Sequence, residues 1–499
     1  METLISFSRA FIDLLTVNII LLMLASTALG VIIGALPGLT ATMGIALLTG
    51  LTYNVPLEYT FTILMGVYVG AIYGGSISAI LLNIPGTASA AATAIDGHQL
   101  ALQGKAETAI KVTRLASIIG TLIGVLALAL LSPPLTKVAL QFQSTEFFVL
   151  ALFGVLICGS IAAEDLTIKG WIGGLLGLSL AFVKIDSIEG VSRFTFGNPN
   201  LLSGISVIPA MIGFYAIPEV IKAFSSTDSL EVREAKDISG EKINVFMTVI
   251  KKFRVIAQSA LIGVGIGALP GVGEDVAAWV AYDTAKKTSK EKEMYGKGSI
   301  EGAIAPEVGN NAAIGGATIP LLTLGVPGSP PAAVLLGALT LHGIRPGPMI
   351  NIESPGFISQ IAALILLAVF ALWIVGTVLA KPMSKILKVP KVYLMPIVAA
   401  LSVIGAYAIG LSMFDLTMVY IFGVLGFFLS KMAYSPAPIV LGLILGGMID
   451  ETFRRSLIAN NGDFTVFFTR PISLFFLILI FFTIFKQIFD NRKRGKSTV

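Results

Sequence analysis

Long apolar runs separated by short polar links fill the chain: Leu14 to Gly34, Phe61 to Ile84, Ala109 to Leu131, Phe147 to Ile161, Leu166 to Phe182, Leu201 to Phe224, Val255 to Leu269, Ile300 to Val326, Phe357 to Ala380, Val392 to Leu411, Leu416 to Ser430 and Ile472 to Phe489. They approach or exceed the roughly 20 residues a helix needs to cross a bilayer. The alternating pattern of roughly ten-residue segments expected of a spanning sheet is absent. The pattern predicts an all-α polytopic membrane protein with about 12 hydrophobic segments. The first run has no cleavage-type small-residue site before its Gly and Pro and is read as retained.

Within these runs the same landmarks occur twice. GALPG stands at Gly34 to Gly38 and again at Gly267 to Gly271. GGSISAILLNIPGTASAA follows the first copy from Gly74, and GGATIPLLTLGVPGSPPAA follows the second from Gly315. LALQG ending at Gly104 is echoed by LTLHG ending at Gly343. A single Pro-Gly is ordinary turn punctuation, but three landmarks in one order mark a duplication. Proline removes a backbone donor and cannot continue a helix, and lipid cannot satisfy the groups so freed. Pro37, Gly38, Pro85, Pro270, Gly271 and Pro327 are therefore expected to break helices at buried places or beside a polar cavity.

Charge adds orientation. The link Leu51 to Thr60 carries no Lys or Arg, whereas its counterpart Asp283 to Gly298 carries Lys286, Lys287, Lys290, Lys292 and Lys297. One span later the bias reverses, with Lys105, Lys111 and Arg114 in the first copy against Arg345 in the second. Under the positive-inside rule the copies point in opposite directions. The expectation is inverted-topology repeats with broken helices and re-entrant hairpins. The first membrane repeat spans 1–224, a cytoplasmic linker 225–254, the second repeat 255–490 and a basic cytoplasmic tail 491–499. The lysine cluster Lys381 to Lys391 falls on the same side, and Val255 to Tyr282 must then enter and leave on one side, folded at Pro270 and Gly271.

Half-helices that begin at such breaks aim unpaired N–H groups and a partial positive charge inward, which suits an anion. Asn83, Gly86, Thr87, Ser89, Gly328 and Ser329 flank the two later breaks and are the candidate substrate-binding residues, with Thr87 and Ser329 as candidate N-caps. Glu307, Asn310 and Asn311 share one helical face. A carboxylate in an apolar segment commonly serves cation coupling or protonation, so these three, with Thr323, are the candidate coupling-ion residues. The first copy has Tyr68, Tyr73, Ser76 and Ser78 in the matching region. Glu274 and Asp275, beside the second GALPG, either bind a cation or cap a half-helix. Asp96, His98 and His342 are read as structural.

Composition agrees, with 55% hydrophobic and 13% charged residues against about 25% charged in ordinary soluble proteins. The net charge of +5 comes from basic loops, with no nucleic-acid surface. The lone Cys158 and two His support neither a disulfide nor a metal site. No GxxxxGK[ST] motif is present, which argues against a nucleotide-driven pump, and no convincing catalytic set argues for an enzyme. An anion-selective channel or other non-carrier membrane protein is the alternative.

GALPGLTATMGIALL, YGGSISAILLNIPGTASAAATAIDGHQLALQGKAETAI, EGAIAPEVGNNAAIGGATIPLLTLGVPGSPPAAVLLGAL and HGIRPGPMI resemble the large membrane subunit of the tripartite tricarboxylate transporters. The likeness continues through TFGNPNLLSGISVIPAMIGFYAIPEV to the region Glu451 to Arg455 and covers almost the whole chain. His98 stands where an aromatic is more usual. The resemblance implies a multi-pass protein of a bacterial or archaeal inner membrane that imports citrate-like tri- or dicarboxylates by alternating access. It implies a small membrane subunit and a periplasmic solute-binding protein as partners, and a Na⁺ or H⁺ gradient as the drive with no other cofactor. A homo-oligomer is compatible with this reading.

Overall fold

The computed structural model describes residues 2–161, 167–225, 244–387, 389 and 391–496; most of the expected linker, 226–243, and the end of the expected tail, 497–499, lie outside them. The described residues are predominantly helical. In chain order the helices are α1 (Glu2–Asp13), α2 (Val17–Ala35), α3 (Ala41–Leu51), α4 (Leu57–Leu82), α5 (Ala90–Leu102), α6 (Ala106–Ala139), α7 (Ser144–Ile161), α8 (Thr167–Ala181), α9 (Val207–Ser225), α10 (Val245–Ile250), α11 (Phe253–Gly267) and α12 (Gly273–Thr288). They continue as α13 (Ile300–Leu324), α14 (Pro330–Leu341), α15 (Ile350–Glu353), α16 (Phe357–Leu379), α17 (Met383–Ile386), α18 (Lys391–Gly410), α19 (Met413–Lys431), α20 (Pro436–Ala459), α21 (Val466–Thr469) and α22 (Pro471–Lys496). Six of them, α2, α4, α6, α16, α19 and α20, are long and apolar enough to cross a membrane. Among the described residues, shorter apolar segments lie in α3, α7, α8, α11, α14, α18 and α22.

Every expected break is a break. GALPG separates α2 from α3 and α11 from α12, and the later Pro-Gly pairs separate α4 from α5 and α13 from α14. Gly38 (φ 94°) and Gly271 (φ 71°) take left-handed conformations that an L side chain rarely adopts. Asn83 (φ 55°) ends α4 and Gly325 (φ 70°) ends α13 in the same left-handed way.

The copies are built on the same contacts. A Cβ at Gly34 would lie 2.0 Å from the Ala71 carbonyl oxygen, and one at Gly267 would lie 2.6 Å from that of Ala313. Gly74 backs onto the Val31 carbonyl as Gly316 backs onto that of Val264. These pairs correct the register read from sequence: Gly316, not Gly315, is the counterpart of Gly74. The chain carries one more residue between its double glycine and its Pro-Gly in the second copy, and only packing shows where it is absorbed.

Because Gly30 meets Val67 while Gly34 meets Ala71, α2 and α4 run parallel, and α3 carries the chain back to the side from which α2 set out. The matching contacts of Gly263 with Gly309 and Gly267 with Ala313 make α11 and α12 the same kind of hairpin. Each long helix after a copy then crosses to the other copy. The α6 helix packs on α13, with Gly120 against Val308 and Gly124 against Ala312, while α16 packs on α4 through Phe61 with Phe357 and Tyr73 with Gly376.

A further feature departs from the sequence reading. The α20 helix was not among the expected spans, because Asp450, Glu451, Arg454 and Arg455 interrupt its apolar pattern. Those charges are spent outside the apolar zone, where α20 clamps a small antiparallel hairpin, β1 (Lys184–Ile185) with β2 (Ser192–Arg193). Arg193 pairs with Asp450, and Arg454 with Asp186 and, at 2.5 Å, with Glu189. The Glu189 amide, with the Ile188 amide and Arg454, holds the Asp186 carboxyl down to about 2 against the opposing effect of burial.

A depressed carboxyl stabilises the fold above its ordinary value of about 3.9 and loses that contribution as pH falls through the folded value. Hydrogen exchange at the Ile188 and Glu189 amides should therefore show the same protection at pH 7 and pH 5, and Asp186→Ala should abolish it at both. Separately, Gly86→Val should lower the thermal midpoint in detergent by the equivalent of at least about 1–3 kcal/mol, because its Cβ would lie 1.9 Å from the Gly34 carbonyl oxygen. Gly265→Ala, with nothing within 4 Å of its Cβ, should leave the midpoint unchanged or raised.

Candidate functional site

The breaks converge. A cavity of about 150 Å³ is lined by Thr40 before α3, Thr87 and Ala88 before α5, Glu274 and Asp275 in the first turn of α12, Pro330 at the start of α14, and Ser435 and Pro436 at the start of α20. Ile72 of α4 and Tyr215 of α9 complete much of its wall. Helix N-termini from both copies therefore surround one polar space. Thr40, Tyr215 and Pro436 also line a second cavity of about 280 Å³, which extends to Glu219 and Lys222 near the end of α9.

The helix starts are not chemically equivalent. At α14, Ser329 is an N-cap whose hydroxyl accepts from the Ala332 amide at 3.2 Å, and the Ala333 amide is bonded to the Ser329 carbonyl. Pro330 and Pro331 have no N–H, so the first turn of α14 offers no free amide, whereas the Gly328 and Ser329 amides just before it have no backbone acceptor among the described residues. At α5 the expected cap by Thr87 does not form either. Ser89 holds the cap position in a right-handed helical conformation without a side-chain cap bond, and the Thr87 hydroxyl lies 3.0 Å from the Ser89 hydroxyl. Among the described residues the Thr87 and Ala88 amides have no backbone acceptor.

Two acids tie the copies together across the cavity. The Tyr68 hydroxyl of α4 donates to Glu274 and lies 3.2 Å from the Ser329 hydroxyl. Asp275 is within hydrogen-bonding reach of the Ser89 amide and hydroxyl. Glu274 is buried and Asp275 half-buried, and among the described residues no Lys, Arg or His lines the cavity with them.

Glu307 occupies a separate, closed cluster. Ser76 of α4 and Thr93 of α5 donate to one carboxylate oxygen at 2.5 and 2.6 Å, and Ser117 of α6 donates to the other at 2.7 Å. Beside it the Asn311 amide donates to the Glu307 carbonyl at 3.0 Å and to the Asn310 side-chain oxygen at 2.6 Å. Thr121 donates to Asn311 at 3.3 Å, and the Asn310 side-chain nitrogen is buried without a partner. Glu307, Asn310 and Asn311 thus share one fully buried polar cluster, as their spacing suggested.

The other expected site residues are scattered. Thr323 donates to the Ile319 carbonyl of its own helix, about 18 Å further along α13 than Asn311 at 1.5 Å per residue. Asn83 is exposed and serves as a helix end. Gly86 and Gly328 are packing positions, pressed against the carbonyls of Gly34 and Gly267. Asp96 is structural, as read: its carboxylate accepts from the Gly296, Gly298 and Ser299 amides at 2.7–2.9 Å and from the Tyr282 hydroxyl, fixing α5 to the start of α13. Thr40, Tyr215 and Ser435 escaped the sequence reading. Thr40, two residues after the Pro-Gly of the first GALPG, was the discoverable one, whereas Tyr215 and Ser435 reach the cavity only through the packing of α9 and α20.

An all-helical, multi-pass chain whose helices break around a shared polar cavity defines a membrane protein of the transport class. A model of the tripartite tricarboxylate transporter TctA family matches residues 20–441, and the chain belongs to this family, whose members are the large membrane subunit. It is 35% identical over 478 residues to an uncharacterized 52.8 kDa protein in the TAR-I ttuC′ 3′ region of Agrobacterium vitis, covering 95% of this chain and 94% of the relative. An uncharacterized protein in the TAR-II ttuC′ 3′ region of the same organism is 38% identical over 208 residues, 42% of this chain and 86% of the relative. No solved structure matches.

Replacing Glu307 by Leu would strand the Ser76 and Thr93 hydroxyls in a dry interior, at about 1–3 kcal/mol for each unpaired group, while Ser117 keeps the Thr113 carbonyl at 2.9 Å. The expected result is a marked fall in thermal midpoint in detergent, partly recovered when Ser76→Ala is added. An unchanged midpoint in the single variant would show that the cluster does not stabilise the fold.

Proposed function

We propose that this chain is the translocating subunit of an ion-gradient-driven importer of citrate-like tri- or dicarboxylates in a prokaryotic inner membrane, supplied by a periplasmic binding protein and assisted by a small membrane subunit. The observation that carries the reading is the cavity bounded by helix starts from both copies. The Thr87 and Ala88 amides offer donors to a carboxylate there, with the partial positive charge of the α5 terminus behind them.

The same cavity argues for symport. A carboxylate placed about 4 Å from an ionised Glu274 or Asp275 meets a repulsion of about 4 kcal/mol at an effective dielectric constant of 20, nearly three decades in affinity. Substrate therefore enters with protons on these acids or with cations between them, and uptake inherits the dependence on that ion. Glu307, Asn310 and Asn311 form a second coupling centre, in which the unpaired Asn310 amide and the carboxylate respond to the occupancy of the first.

Alternating access follows from the paired architecture. The start of α6 lies beside the end of α16, where Glu107 and Arg114 share a cavity with Thr377 and Lys381. Since α6 runs with α13 and α16 with α4, this placement supports opposite orientations for the two copies. In this reading the second cavity, which runs from the site to the end of α9 close to the expected cytoplasmic linker, serves as the inward exit. Gly38 and Glu219, whose carboxylate lies 3.2 Å from a Cβ built at Gly38, flank that exit.

In proteoliposomes, citrate-type acids should accumulate under an imposed sodium or proton gradient, saturate and show counterflow. Asp275→Asn should reduce the dependence on the driving ion, and Asn310→Ala should alter its apparent affinity. Large conductance without counterflow would establish the channel alternative instead. Uptake with unchanged ion dependence in both variants would remove the assigned coupling residues.

A further inference from the structure

Away from the transport cavity, the start of α6 and the end of α16 enclose a pocket of about 350 Å³ lined by Glu107, Lys111, Arg114, Thr377 and Lys381. It shares no residue with either cavity described above. Its charge is unbalanced. Glu107 is engaged by Lys111 at 2.8 Å across one turn of α6, and among the described residues neither Arg114 nor Lys381 has an acidic partner.

Arg114 stands about 12 Å inside α6 at 1.5 Å per residue, with its methylenes against α16, where a Cβ on Gly376 would lie 2.8 Å from Arg114 Cδ. A guanidinium does not discharge by deprotonation, and an uncompensated cation at this depth is expensive. The adjoining surface of α16 is apolar and outward: Trp373, Ile374 and Val378 are 61%, 50% and 66% exposed. A basic pocket at helix ends next to a bare apolar stripe has the form of an anionic lipid, with a phosphate for the charges and acyl chains for the stripe.

We infer that this pocket binds the phosphate of an anionic phospholipid, held by the Arg114 fork and the Lys381 ammonium, with the acyl chains along Trp373, Ile374 and Val378. Arg114 supplies paired N–H donors to two phosphate oxygens, and Lys381 adds a mobile point charge. The lipid thereby neutralises a site where the two crossing helices meet.

The chain has three tryptophans, and Trp373 lies one turn from Thr377. With Trp171→Phe and Trp279→Phe, emission reports Trp373 alone. The full-length protein in mixed micelles is titrated with phosphatidylglycerol carrying brominated chains, and separately with brominated phosphatidylcholine. Phosphatidylglycerol should quench at about a thirtyfold lower mole fraction, the scale expected of two basic side chains at an anionic surface. Arg114→Gln with Lys381→Gln should erase that preference, whereas Arg114→Lys should retain part of it, and a thermal melt of each variant verifies folding. Equal quenching by the two lipids, or a preference that survives in a folded double variant, overturns the inference. Release of the quenching by millimolar inorganic phosphate overturns the lipid assignment in favour of a free-phosphate site.

Discussion

A helix broken inside a membrane must give its exposed backbone something other than lipid to touch, and here that partner is another backbone. The Gly86 and Gly328 breaks lie directly on the carbonyls of Gly34 and Gly267, the first residues of the two GALPG stretches. Each pair of breaks forms one unit, and α2 with α4, or α11 with α13, can cross closely enough only because glycines stand at the crossing. Helix starts can then meet around a cavity within an apolar protein, since the backbone that lipid could not satisfy is enclosed.

Duplication supplied the scaffold, and divergence supplied its chemistry. In the packing register Tyr68 is the counterpart of Asn310, yet Tyr68 bridges Glu274 and Ser329 beside the cavity whereas Asn310 sits in the Glu307 cluster. Both copies leave amides without a backbone acceptor ahead of the second helix of the break, Thr87 and Ala88 before α5 and Gly328 and Ser329 before α14, and prolines remove the donors only within the first turn of α14. The second copy contributes the acids. A helix start with unbonded amides and a pair of carboxyl groups thus face each other across the interface between copies.

The helix breaks, the hydroxyl-rich face of α4 and the polar triad Glu307, Asn310 and Asn311 were legible because each depends on local chemistry or helical spacing. Thr323, Asn83, Gly86 and Gly328 were legible as special positions but not as to purpose. A glycine pressed on a carbonyl and a glycine facing a ligand look identical in sequence. The α20 helix was hidden because its final turns carry charges that pair with the β1–β2 hairpin, a partner more than 250 residues away.

By itself the sequence determined that the protein is helical, embedded in a membrane, duplicated, and interrupted at matched points, for these follow from composition, spacing and the geometry of proline and glycine. Only the tertiary structure decided which polar groups share the cavity and which register aligns the copies. It also separated Glu274 and Asp275, which face the cavity, from Glu307, which is enclosed by Ser76, Thr93 and Ser117. The physical reason is that electrostatic repulsion and hydrogen-bond satisfaction depend on distances of a few ångströms between segments remote in the chain, and no local pattern encodes those distances.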